Sequence, residues 1–273
     1  MAEELLTLVL PLRFRAAPEQ CAARPAPEWW GRAVQAWFLS VVKEADPEMA
    51  AALHAENRQH PYAVSSLIGC PDSGFPKGTE SENLRIRISS MDAKLTAILK
   101  TAAAPGGMIS TGKTVELDYM PFEILETPEN ARWETSFADL VQRGVEQAEE
   151  PAFSFRFVSP LVFRSDGKSE AMPLPRWVFQ SLLNRWNAFA PIQFPQDTLR
   201  YAEECLAISS FRIASRAVPL KQNGIRIGAV GSVRYRAMNH DRYWISLLHS
   251  LTAFAPYSSI GAGTAFGLGQ TRN

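Results

Sequence analysis

The sequence predicts an α+β chain of two similar halves, each a four-stranded antiparallel sheet with two helices on one face. Three observations predict it. The order β-α-β-β-α-β reads twice along the 273 residues, and an acidic stretch separates the two readings. The third is composition: 46% apolar and 21% charged residues are the balance of a chain that buries a core. The length suits one large domain or two of ordinary size.

In the first half, Leu5–Leu12 is apolar and β-prone and reads as a buried strand. A helix is expected from about Glu28 to Val42, where Trp29, Ala33, Trp37, Phe38 and Val41 recur at helical spacing. Asp46-Pro47 reads as an N-cap and first-turn proline opening a short helix through Leu53 and His54. Tyr62–Ile68 is expected as a strand. Leu84–Ile88 alternates apolar residues with Arg85 and Arg87, as a half-exposed strand does. Met91–Thr101 is helical in composition, Pro105-Gly106-Gly107 breaks it, and Thr114–Leu125 reads as one long strand.

Residues 127–150 are acidic and amphipathic, a connecting segment with a helix from Phe137 to Ala148. The order then begins again. Short strands flank Ser159-Pro160, and a helix spans Pro175–Phe189 with Trp177, Val178, Leu182, Leu183 and Trp186 on one stripe. Leu206–Val218 and Gly224–Ala237 are long strands joined through Asn223-Gly224, a strong hairpin signal. Asp241–Phe254 is helical, and a glycine-rich strand closes the chain. The expected fold is therefore tandem ferredoxin-like (RRM-like), with domains at 1–126 and 151–273 joined by 127–150.

Composition excludes several classes. No apolar run approaches the ~20 residues of a membrane span, and the acidic start Met1-Ala2-Glu3-Glu4 is unlike a secretory signal. Cys21, Cys70 and Cys205 are far apart with no CxxC pair, so a zinc site is not expected; the thiols read as buried small hydrophobes of a cytoplasmic protein. The formal net charge is zero. That average conceals an asymmetry: between Cys205 and Arg242, Arg212, Arg216, Lys221, Arg226, Arg234, Arg236 and Arg242 stand against a single acid, Asp241. Alternation places Arg212 and Arg216 on one face of their strand and Arg226, Arg234 and Arg236 on one face of the next, a ridge suited to phosphates. His240 and His249 read as surface or structural residues, and most aromatic residues as core. The sheet-face aromatic signature of RNA-recognition strands is absent.

Four glycines, Gly261, Gly263, Gly267 and Gly269, fall within nine residues near the C-terminus. Glycine backbones let a phosphate approach N–H groups, yet neither a Walker loop nor a dinucleotide fingerprint is present. The terminal Gly-Ala-Gly-x-x-x-Gly-Leu-Gly, following Phe254-Ala255-Pro256-Tyr257, closely resembles the glycine-rich loop of the Cas6 family of CRISPR RNA-processing endoribonucleases. Leu53-His54, with His60-Pro61-Tyr62-Ala63-Val64-Ser65, resembles the family's Leu-His stretch, and Ser159-Pro160 its second-half opening. The resemblance covers almost the whole chain and has the same expected fold.

The resemblance implies metal-independent cleavage of CRISPR repeat RNA, by 2′-hydroxyl attack that leaves a 2′,3′-cyclic phosphate and a 5′-hydroxyl. No cofactor is implied. His54 falls on the family's catalytic histidine, and His60 on a position where some members carry lysine. The family's first-helix tyrosine is missing; Leu39 matches it, with Ser40 beside it as the remaining hydroxyl. Imidazole suits either proton role. Arg58 joins the basic ridge and the four glycines as expected RNA contacts. The implied partners are repeat RNA, other subunits of a Cas effector complex and a second copy of the chain, with no membrane. Two other readings remain: a non-catalytic RNA-binding subunit, and an enzyme holding a nucleotide phosphate on the glycine loop.

Overall fold

The computed structural model describes residues 4–15, 27–54, 59–70, 84–165, 167–219 and 224–272. Cys21, Arg58 and Lys221 lie outside them.

Strand β1 (Leu5–Phe14) runs through the middle of the first sheet. On one side it pairs with β3 (Leu84–Ser90), and β2 (Tyr62–Val64) lies beyond that strand. On the other side β5 (Met120–Ile124) pairs with Leu12–Phe14, and β4 (Thr114–Leu117) lies outside β5. Every pairing is antiparallel. Leu6, Leu8, Leu10 and Leu12 share one face with Ile86 and Ile88, as period-two alternation requires. That face packs with Val34 and Phe38 of α1 (Gly31–Ala45), Leu53 of α2 (Pro47–His54) and Leu95 and Leu99 of α3 (Ala93–Ala103). The start of α2 is as expected: the Asp46 carboxylate accepts from the Met49 N–H at 2.9 Å, and Pro47 fills the first helical position.

Three expectations are corrected. Thr114–Leu125 is a hairpin, not one strand, and it turns on Asp118 and Tyr119, both at positive φ (49° and 65°). Such turns usually carry glycine, so the sequence gives no warning of this one. Residues 152–161 form a single strand, β7, rather than two short ones. Pro160 is accommodated because the register with the neighbouring strand slips between Ala229↔Leu161 and Gly231↔Phe157, so no ladder N–H is demanded of it. The glycine-rich end is an irregular segment with one 3-10 turn, Thr264–Phe266; only Thr271–Arg272 (β12) pairs with β7.

The second sheet has the order β10-β11-β7-β12, with β10 at Leu206–Pro219 and β11 at Ile225–Ala237. Phe153, Phe155, Phe157, Val233 and Tyr235 point to one face. They form a core with α5 (Pro175–Phe189), α6 (Asp197–Cys205) and α7 (Arg242–Ser258). A small hairpin, β8 (Phe163–Ser165) and β9 (Lys168–Glu170), stands beside it. Two antiparallel sheets, each backed by helices, make the tandem ferredoxin-like fold. Among the described residues no helix is long and apolar enough to cross a membrane.

The segment 127–150 serves both halves. Its strand β6 (Arg132–Thr135) pairs with β1, and its helix α4 (Phe137–Glu146), opened by a Ser136–Asp139 capping box, packs on α7. Gly144 sets that helix spacing. A Cβ there would lie 2.1 Å from Ser250 Oγ and 2.4 Å from the Ser246 carbonyl oxygen. Gly144→Val should therefore destabilise the chain by about 3 kcal/mol, roughly 6–12 °C in Tm, measurable by calorimetry.

Candidate functional site

The segment from Ile260 to Arg272 runs between the halves. Trp29 Nε1 donates to the Phe266 carbonyl oxygen (2.8 Å), Gln270 Nε2 to the Val64 carbonyl (3.1 Å), and Arg87 Nη1 to the Thr271 carbonyl (2.7 Å). A Cβ on Gly31 would sit 1.7 Å from the Phe266 oxygen, and one on Gly267 2.6 Å from the Ser66 nitrogen. Backbone thus meets backbone across the two halves. The expectation that the glycines open N–H groups to a phosphate is narrowed by this packing. The amides of Gly261, Ala262, Phe266, Leu268, Gly269 and Gln270 all donate inside the protein. Gly267 and Gly269 are buried, whereas Gly261 and Gly263 are half-buried.

His54 is exposed at the end of α2, and His60 is half-buried just before β2. Their charges interact, and so do those of His60 and Arg185 of α5, which brings first-half and second-half residues together. Burial first, then the positive charges of Arg185 and His54, hold the His60 imidazole below its ordinary pKa. Its ring lies 5.2 Å from that of Tyr62, whose hydroxyl accepts from Gln35 Nε2 at 3.0 Å. Ser40 does not join this group by any contact: it is exposed, and its hydroxyl donates to the Trp37 carbonyl one turn back at 2.6 Å.

Arg185 is the pivotal side chain. Its Nη2 donates to Thr264 Oγ1, while Nη1 is sealed from solvent with no partner. Burial pushes its pKa down to about 10, still protonated near neutrality. One turn earlier on α5, Ser181 Oγ accepts the Gly261 N–H at 2.7 Å. Ser181 and Arg185 therefore grip the glycine-rich segment from one helix face. Beside them opens a cleft of about 530 Å³, lined also by Gln59, Phe163, Arg164, Trp177, Gln180 and Asn184 and by Gly261 and Ala262 of the glycine-rich segment. Among the described residues, no group of three or more His, Cys, Asp or Glu side chains is placed to hold a metal ion.

The basic ridge is real but differently populated. Pairing registers put Arg212, Ser232, Arg156 and Arg272 in one row across β10, β11, β7 and β12, with Arg234 beside Ser210 and Ser154 in the next. Arg156, Arg212, Arg216, Arg234, Arg236 and Arg272 are all exposed, on the sheet face away from the phenylalanine core. Arg226 shares that face but is only 9% exposed. The end of the strand is covered: its partner Val218 packs with Val162 and Leu268 against Trp29 and Phe266. Burial, then the neighbouring charges of Arg164 and Arg32, lower the Arg226 pKa. Arg85 is exposed, and Arg87 is the half-buried tie to Thr271. His240 is exposed, and His249 is buried with its Nε2 2.7 Å from the Glu150 carbonyl, so both are outside the site as expected.

Comparison with known proteins bears directly on these features. Residues 155–271, which include the glycine-rich segment, match the family described as CRISPR-associated endoribonuclease Cas6. The matched stretch is the second half of the chain, which is similar to that family. A curated relative, the CRISPR-associated endoribonuclease Cas6 of Mycobacterium tuberculosis, is 30% identical over 127 residues, 45% of this chain. The chain thus spans about two fifths (39%) of the length of that relative in the matched part. The solved Thermus thermophilus Cas6 is 22% identical with a TM-score of 0.70, covering 99% of this chain and 98% of that one. A Cas6-related protein from Pyrococcus furiosus is 12% identical with a TM-score of 0.62, covering 98% of each chain. At those identities the structural likeness speaks for the fold, which extends through both halves.

Against the Cas6 expectation, the sequence reading missed Arg185, Tyr62, Arg156 and Arg272. Arg185 had a signal, since Trp177, Ser181 and Arg185 recur every four residues on a helix whose other stripe is apolar. A histidine-resolved NMR titration should show His60 titrating below the ordinary 6.5. Arg185→Gln, which removes a positive neighbour, should move it upward.

Proposed function

We propose that this chain is a metal-independent endoribonuclease that cleaves CRISPR repeat RNA. The observation carrying this reading is His60, with a lowered pKa, within charge range of Arg185, a cation with no carboxylate partner among the described residues that sits beside the glycine-rich segment. At neutral pH His60 is an unprotonated imidazole, the form a general base requires. In the proposed reaction it takes the proton of a ribose 2′-hydroxyl while the 2′ oxygen attacks the adjacent phosphorus. The bond from phosphorus to the 5′ oxygen then breaks. His54, as acid, protonates that oxygen, leaving a 2′,3′-cyclic phosphate and a 5′-hydroxyl. Arg185 supplies positive charge where the phosphorane develops negative charge. The exposed arginine face holds the rest of the RNA, and the half-buried Gly261 and Gly263 border it at the cleft.

Repeat RNA in excess EDTA, alongside a copy with a single 2′-deoxy at the cut, tests the reading. Cleavage to a cyclic phosphate that the deoxy substitution blocks is expected. Tight, salt-sensitive binding without any cleavage would instead make the chain an RNA-binding subunit. His60→Ala should lower the rate by about 10²- to 10⁴-fold with binding retained. Because the His60 pKa is lowered, the base stays competent as pH falls past 6.5, so the acidic limb of the rate profile should lie below that value. Arg156→Ala, Arg212→Ala and Arg234→Ala should each reduce the slope of log affinity against log salt by about 0.7 for single-stranded RNA, read from binding titrations.

A further inference from the structure

We propose that the cleft between α5 and the glycine-rich segment is a pocket for one unpaired nucleobase next to the bond that is cut. The inference rests on the endoribonuclease reading above and assigns a further site within it. Four observations converge. The cleft's volume of about 530 Å³ is ample for a single base. One wall is aromatic: the rings of Phe163 and Trp177 lie 6.5 Å apart and 30° from parallel, and Trp177 is partly exposed. Aromatic surface of this kind holds unstacked bases. The polar lining comprises the carboxamides of Gln59, Gln180 and Asn184, which donate and accept as a base edge does, with Ser181 and the guanidiniums of Arg164 and Arg185 beside them. None of the three has a hydrogen-bonding partner among the described residues.

The position completes the argument. Gln59 of the lining precedes His60 in the chain, and Arg185 lines the same cleft while its charge reaches His60. A base lodged there would direct its own ribose and phosphate toward His60, the neighbour of Gln59 in the chain. Such a pocket would orient the scissile phosphate and discriminate the cut site from the rest of the repeat, and it takes bases that are out of a duplex. Among the described residues no Asp or Glu lines the cleft.

The test uses repeat RNA made uncleavable by a 2′-deoxy at the cut, with an abasic ribose placed at one position after another on either side. All phosphates remain. Binding is measured for the wild type and for a Gln180→Ala/Asn184→Ala double variant, both surface positions on an intact helix, with Trp177→Ala as a second variant. For wild type, one position should cost about 5- to 150-fold in affinity when its base is removed. The variants should bind intact RNA more weakly and lose nothing further at that position. If removal of each base costs wild type and variants the same factor, while the unmodified RNA is still cleaved, the pocket is wrong and the enzyme reading survives. A wild-type protein that neither binds nor cleaves repeat RNA overturns both.

Discussion

Backbone-to-backbone contact between the two halves is the constraint on which the site depends. Gly31 begins the first helix and Gly267 lies near the other end of the chain, and each abuts main-chain atoms of the opposite half with no space for a Cβ. Because the contacts are between main chains, the relative position of the halves is set to within a few tenths of an ångström at those points. Side chains reach across afterwards: Trp29 to Phe266, Gln270 to Val64, Arg87 to Thr271. The half-buried Arg185, which lines the cleft and whose charge reaches His60, is held by the same segment through Thr264. Loosening the glycine contacts would separate the imidazole from the guanidinium without touching either residue.

Electrostatics reinforce this division of labour. Two half-buried arginines, Arg87 and Arg185, each have a guanidinium nitrogen sealed from solvent and a pKa pushed down to about 10, and among the described residues neither is paired with a carboxylate. A buried cation without a counter-ion costs free energy that a purely structural role does not explain. Arg87 returns part of it by tying β3 to the closing segment. Arg185 returns part of it through Thr264 and, on the reading proposed above, by meeting an incoming phosphate; Arg164 lines the same cleft. The exposed arginine row across the second sheet is the solvated counterpart, where long-range attraction rather than desolvated contact operates.

Much of this was legible in the residues. The α5 helix and the β10–β11 hairpin follow from strong periodicity and an Asn-Gly turn, and the Asp46-Pro47 helix start from capping chemistry. The β4–β5 hairpin was not legible, because Asp118 and Tyr119 adopt positive φ without the usual glycine. β6 escaped because a four-residue strand of Arg132, Trp133, Glu134 and Thr135 has neither clear alternation nor turn signals. Within the site, the two histidines stand out by residue type, but Arg185 acquires its meaning only from a loop some eighty residues later in the chain. Likewise, strand parity places Arg226 with Arg234 correctly, whereas only the tertiary packing of Val162, Leu268 and Phe266 decides that one is covered and the other is not.

The long separation of the contacting segments also bears on how the protein is made. Trp29 and Phe266, which meet at the junction, are 237 residues apart. During synthesis the N-terminal half emerges and folds first, so both histidines are exposed well before the ribosome has produced the segment that brings Arg185 and the glycines to them. On the reading proposed above, the two histidines and Arg185 come together only after the second half has been made and has docked on the first.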